Sequence, residues 1–90
     1  MRVKWAATAK RQLSEIYNFI AANSPQYARA MTNRSRQLKT FPMSGAMVAE
    51  YDDPEFRELI EGPYRIIYRL RPNAVEVVAV IHGARNLPPK

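Results

Sequence analysis

Residues 56–85, FRELIEGPYRIIYRLRPNAVEVVAVIHGAR, constrain the fold more than any other part of the chain. From Tyr64 to Leu70, large apolar residues occupy every second place, with Arg65, Ile67 and Arg69 between them. A period of two sends the two sets to opposite faces of a strand. Arg71-Pro72-Asn73-Ala74 interrupts with turn chemistry, Pro72 presetting φ and Asn73 tolerating unusual backbone angles. Val75–His82 is rich in β-branched residues and reads as the returning strand. With Leu70 set opposite Val75, Tyr68 faces Val77, Ile66 faces Ala79 and Tyr64 faces Ile81, making one face wholly apolar. The other face then pairs Arg69 with Glu76, Ile67 with Val78 and Arg65 with Val80, with His82 near its end. A one-residue slip mixes the two sets, so the alternation points to this register.

The segments upstream supply what covers the apolar face. Arg2-Val3-Lys4-Trp5 alternates and is expected to be a short strand on a sheet edge, Val3 and Trp5 inward. Ala9, Leu13, Ile16, Tyr17 and Ile20 recur at helical spacing, predicting a helix near residues 8–22 with Thr8 as a candidate N-cap. Asn23-Ser24-Pro25 ends it and starts another, Ser24 as cap and Pro25 in the first turn. Ala28, Met31, Ser35 and Leu38 form a narrower stripe on a basic helix, with Phe41 anchoring its end and Pro42 stopping it. So short a link implies an antiparallel helix hairpin. Residues 42–55 read as an irregular connection packed partly on the body through Met43, Met47, Val48 and Tyr51. A strand near residues 56–60 follows. A two-residue and a three-residue turn at Glu61-Gly62-Pro63 put Arg57 on opposite faces, and both remain open. The expected fold is α+β: a short N-terminal strand, then an antiparallel helix hairpin packed on a C-terminal antiparallel β-meander, residues 1–90 forming a single domain.

Charge is distributed unevenly. Eight Lys and Arg stand against Glu15 in residues 1–49, six acids against Arg57 in 50–61, and five Lys and Arg against Glu76 in 62–90. The net +6 is typical of proteins with nucleic-acid or acidic partners. The chain has no cysteine, which excludes disulfides and thiolate zinc sites, and one histidine, which excludes a multi-histidine metal centre. No metal or other cofactor is expected. The acids Glu50, Asp52, Asp53 and Glu55 match no EF-hand spacing and read as a solvated loop. No apolar run is long enough to span a membrane and no secretory signal opens the chain, so the expected location is the cytoplasm. Glycine-rich phosphate loops, metalloprotease signatures and nucleophile elbows are absent. What remains is Arg57, Arg65, Arg69, His82 and Arg85, expected around the open face of the meander. Guanidinium groups there suit phosphates or partner carboxylates, and a histidine suits proton transfer near neutrality.

The run R-E-L-I-x-x-x-Y-R-I-I-Y-R-L, a turn, V-E-V-V-x-V-I-H-x-x-R and a following Leu-Pro resemble the ParE branch of the RelE/ParE toxin superfamily. The initial strand, the A-x-x-x-L-x-x-I-x-x-x-I helix and the second helix ending in F-P fit the same pattern. The resemblance implies the toxin of a type II toxin–antitoxin module, neutralised by a cognate ParD-like antitoxin whose flexible C-terminal segment wraps it. It implies inhibition of DNA gyrase by binding, with Arg57, Arg65, Arg69, His82 and Arg85 contacting target or antitoxin. The alternative is a RelE-like, ribosome-dependent mRNA endonuclease using Arg65, His82 and Arg85. Against that alternative stand an acidic stretch, Glu50–Glu55, where RelE-branch nucleases are basic, and the lack of an evident second proton-transfer group.

Overall fold

The computed structural model describes residues 1–23, 25–83 and 87. Strand β1 (Arg2–Trp5) leads into helix α1 (Ala7–Asn23) and helix α2 (Pro25–Arg36), which a single 3₁₀ turn extends over Gln37–Lys39. Then come β2 (Ala46–Met47), β3 (Phe56–Glu61), β4 (Tyr64–Arg71) and β5 (Ala74–His82). These strands form one mixed sheet in the order β1-β5-β4-β3-β2, with β1 parallel to β5 and the other pairs antiparallel. The α+β fold expected from the sequence is therefore present, with β1 at a sheet edge.

Local chemistry explains most of the boundaries. The first helical bond of α1 runs from the Lys10 amide to the Ala6 carbonyl, 3.0 Å. Ala6 thus holds the N-cap position and Thr8 lies inside the helix, which corrects its reading as a cap. Pro25 opens α2, where its missing N–H costs no bond; Ser24 lies outside the described residues. Phe41 is 63% exposed, so it anchors nothing at the end of α2. The buried Leu38 in the 3₁₀ turn fills that role. The β3–β4 turn has two residues, Glu61 pairing directly with Tyr64. Gly62 takes φ 56° there, and Pro63 supplies the negative φ that a II′ hairpin turn needs next.

The main core lies between the helices and one sheet face. Ala9, Met31, Leu38, Leu59, Ile66, Tyr68, Val75, Val77 and Val80 are buried there, with Val3, Trp5, Leu13 and Ile16 packed around them. A smaller cluster on the other face joins Val48, Phe56, Ile67, Ala79 and Ile81, with Tyr51, Val78 and Leu87 at its margin. The expected inward set Tyr64, Ile66, Tyr68 and Leu70 is correct for β4. For β5 the expected pairing fails halfway. Leu70 pairs with Val75, Arg69 with Glu76 and Tyr68 with Val77, but Ile67 then pairs with Ala79 and Tyr64 with His82. Val78 is the extra residue of a β-bulge. Beyond it every side chain of β5 changes face: Val80 turns to the helices, Ala79 and Ile81 away from them. Residues 77–81 are all apolar, so alternation there offered no contrast by which to detect the slip.

Candidate functional site

The face away from the helices carries the cations. Alternation along β4 puts Arg65, Ile67 and Arg69 on it, and the β3 register adds Phe56, Glu58 and Ile60. The loop from Val48 to Glu55 folds across part of this face. Val48 is fully buried, and Tyr51 meets the Phe56 ring edge-on at 5.0 Å. Asp52, in the left-handed region at φ 49°, turns the chain there. The face is therefore not the open one expected from the sequence.

This fold-over delivers Glu50 to Arg65. The two terminal nitrogens of Arg65 donate to the two carboxylate oxygens of Glu50 at 2.8 and 3.0 Å. Its Nε donates to Glu58 at 2.9 Å, and a terminal nitrogen makes a further contact with the same oxygen. A planar fork bonded to two carboxylates is the geometry in which arginine binds most strongly. Only 11% of the Arg65 side chain is exposed. The hydrogen bond from Arg65 holds the Glu50 carboxyl at about 2, far below its ordinary 4.5, helped by a backbone bond. Glu50 in turn raises the Arg65 pKa further still. Burial, then the charge of Glu50, raises the Tyr51 phenol.

Arg69 is held similarly. It faces Glu76 in register, yet its ion pair is with Glu55 at 2.9 Å, and its guanidinium sits 5.3 Å from the centre of the Phe56 ring. The acids read as a solvated loop are in part spent on these arginines. Among the described residues, no group of three His, Cys, Asp or Glu has the geometry to hold a metal ion.

Arg57 lies on the helix face, opposite Tyr68. It donates to the Gly45 carbonyl at 3.2 Å, while its Nε is buried without a hydrogen-bond partner. Tyr68 is fully buried. Its hydroxyl donates to the Pro42 carbonyl at 2.8 Å and accepts from the Gly45 amide at 2.9 Å, tying the loop to the sheet. Burial raises its pKa. Glycine is required at 45 by this close approach: a Cβ there would lie 2.5 Å from both the Glu58 carbonyl and the Tyr68 hydroxyl.

His82 also lies on the helix side. It pairs with Tyr64 across the hairpin, ring to ring at 5.7 Å and 80°. Together with Gln12, Glu15, Ile16, Phe19 and Val80 these residues line a cleft of about 320 Å³ between α1 and the end of β5. Phe19 at its mouth is 67% exposed. The Gln12 carboxamide oxygen accepts from the Val80 amide at 2.9 Å, covering part of the edge of β5 that β1 leaves bare. Of the five residues expected to share one surface, then, Arg65 and Arg69 do. Arg57 and His82 lie on the opposite side, and Arg85 lies outside the described residues. The sequence reading missed the cleft and the three clamping acids. The former depends on α1 crossing the sheet, the latter on contacts between residues 7 to 15 positions apart.

Comparison with known proteins places this architecture. The family model described as the ParE toxin of type II toxin-antitoxin systems, parDE, matches residues 3–87. No curated protein matches in sequence. Among solved structures, the chromosomal ParDE toxin–antitoxin system of P. aeruginosa superposes with TM-score 0.62 at 20% identity, covering 91% of this chain and 95% of that one. The RelBE2 toxin–antitoxin complex of Mycobacterium tuberculosis gives 0.66 at 21%, covering 90% and 95%. The YoeB/ParE toxin of Agrobacterium tumefaciens gives 0.65 at 15%, covering 91% and 98%. At these identities the structural likeness is one of fold.

Proposed function

The chain belongs to the ParE toxin family of type II toxin–antitoxin systems, and on that premise we propose that it poisons DNA gyrase in the cytoplasm by binding, without cutting RNA itself. One observation carries this reading: the Arg65 guanidinium is clamped by Glu50 and Glu58 while His82 lies on the other side of the sheet. Cleavage of a phosphodiester by its 2′-hydroxyl needs a cation and proton-transfer groups converging on one phosphate. Here the best-placed cation is already neutralised by its own chain, and the histidine is not beside it. Among the described residues no helix is long and apolar enough to cross a membrane.

The partner is a cognate ParD-like antitoxin. The cleft between α1 and β5 suits it: Ile16, Phe19 and Tyr64 offer apolar seats to an amphipathic segment. Of the residues expected to bind target or antitoxin, His82 serves in this cleft. Arg69, 36% exposed, serves on the opposite face, where Arg65 holds Glu50 of the loop that shapes it, and Arg57 ties Gly45 on the helix side. The decisive experiment sets gyrase supercoiling beside toeprinting of translating mRNA. Purified toxin should stop supercoiling or trap the cleavage complex and leave the message intact. Codon-specific cuts abolished by His82→Ala or Arg65→Ala, with gyrase unaffected at large excess, would install the endonuclease reading instead.

A further inference from the structure

Of the described cations, Arg11, Arg34, Arg65 and Arg69 are in ion pairs. Arg2, Lys4, Lys10, Arg29, Arg36, Lys39 and Arg71 are exposed and, among the described residues, belong to no ion pair. Five of these seven, Arg2, Lys4, Arg36, Lys39 and Arg71, gather at one place in the fold, the free edge of β1. Arg2 and Arg71 flank Ala74 from either side, so their backbones stand about 10 Å apart across two strand spacings. Lys4 follows about 7 Å further along β1. Round the edge, on the helix side, Arg36 and Lys39 border a small notch with Val3, Trp5 and Ser35. Glu76, opposite Lys4, is the carboxylate in their midst, and it is half-buried.

We propose that this rim docks on the phosphate backbone of duplex DNA. Unpaired cations clustered on one edge are what counterion release requires. An acidic peptide would need several apolar seats beside the charges; the rim has Met1, 52% exposed, while Val3 and Trp5 are half-buried against the core. The other exposed apolar residues, Tyr17, Phe19, Phe41, Met43, Met47 and Ile60, belong to other elements. A single strand would need aromatic faces on which to stack its bases. Trp5, the aromatic residue bordering the notch, is engaged with the core.

The test is fluorescence anisotropy of a labelled duplex of about 20 base pairs, titrated with the full chain between about 50 and 200 mM salt. No gyrase and no ribosome is present, so the outcome is read separately from the identity of the target. Binding should weaken with a log–log salt slope of about −3 to −4. The triple variant Arg2→Ala, Lys4→Ala, Arg71→Ala should lose at least about tenfold in affinity and flatten the slope by about 2 to 3. The charge-keeping triple Arg2→Lys, Lys4→Arg, Arg71→Lys should retain both, as should Lys10→Ala with Arg29→Ala. Unchanged melting temperatures would show that all variants remain folded. Absence of binding at the lowest salt overturns the proposal. So does equal loss in the Lys10/Arg29 control, which would reduce the effect to net charge. Tighter binding to a single strand of the same sequence, or to a polyglutamate peptide, overturns it in favour of those partners.

Discussion

Arg65 is the residue at which charge, burial and chain topology meet. Its guanidinium is mostly buried, and two carboxylates from different segments neutralise it. Stripping Arg65 away would leave Glu50 and Glu58 facing each other, so the trio stands or falls together. The linkage has a definite sign. Glu50 has its carboxyl lowered from 4.5 to about 2 in the folded chain. Its contribution is therefore complete above pH 4.5 and is lost as pH falls from there toward 2. Glu50→Gln should melt below the native protein at pH 6, and the two melting temperatures should converge on acidification through that window. A gap that stays constant from pH 6 to pH 2 would show that Glu50 is not what couples the loop to protons. The sequence displayed Arg65 as the middle of an alternating strand. It contained no signal that Glu50, 15 residues upstream, would be its partner, because nothing local fixes where a loop crosses a sheet.

At the scale of elements, the two sheet edges and the bulge decide which surfaces are offered. Gln12 of α1 covers the Val80 amide on one edge, and Arg34 of α2 donates to the Ile60 carbonyl at 3.4 Å near the other. Both are polar side chains placed where a bare strand would otherwise invite pairing. The bulge at Val78 turns Ala79 and Ile81 toward the small second cluster and Val80 toward the helices. Deleting Val78 leaves every observed cross-strand pair in register, since Val77 would then be followed directly by Ala79 opposite Ile67. The deletion variant should therefore fold with unchanged far-ultraviolet dichroism and lose only about 1 kcal/mol, the packing of one half-buried side chain. Loss of a cooperative melt would mean that the bend and twist at the bulge are themselves required. The alternating strands were legible in advance, as were Ala9, Leu13 and Ile16 of the first helical stripe and Met31, Ser35 and Leu38 of the second, because each repeats a local period; Tyr17, expected on the first stripe, is 38% exposed. The bulge was not, because five apolar residues in succession satisfy either parity.

Over the whole molecule the surface separates into regions with different chemistry. One carries clamped arginines under an acidic loop, one is a cleft of mixed apolar and polar lining beside α1, and one is a rim of unpaired cations at β1. The cleft gives a prediction that distinguishes partner binding from folding. Phe19, 67% exposed, contributes little to the folded state by burial. Phe19→Asp should change the melting temperature of the isolated toxin by no more than a surface substitution does, within about 0.5 kcal/mol. Its affinity for the cognate antitoxin, measured by calorimetry, should fall at least about tenfold. Undiminished affinity would move the antitoxin to another face.

The sequence alone determined the order of the elements other than β2, the inward set of β4 and the helix that covers it. Each is written in a spacing of two or of three to four residues, and backbone geometry converts such spacings directly into faces. Tertiary structure alone decided which side Arg57 took, where β5 slipped by one residue, and which acids closed on which arginines. Those outcomes depend on the length of a turn and on the path of a loop between segments far apart in the chain, and no local period encodes either.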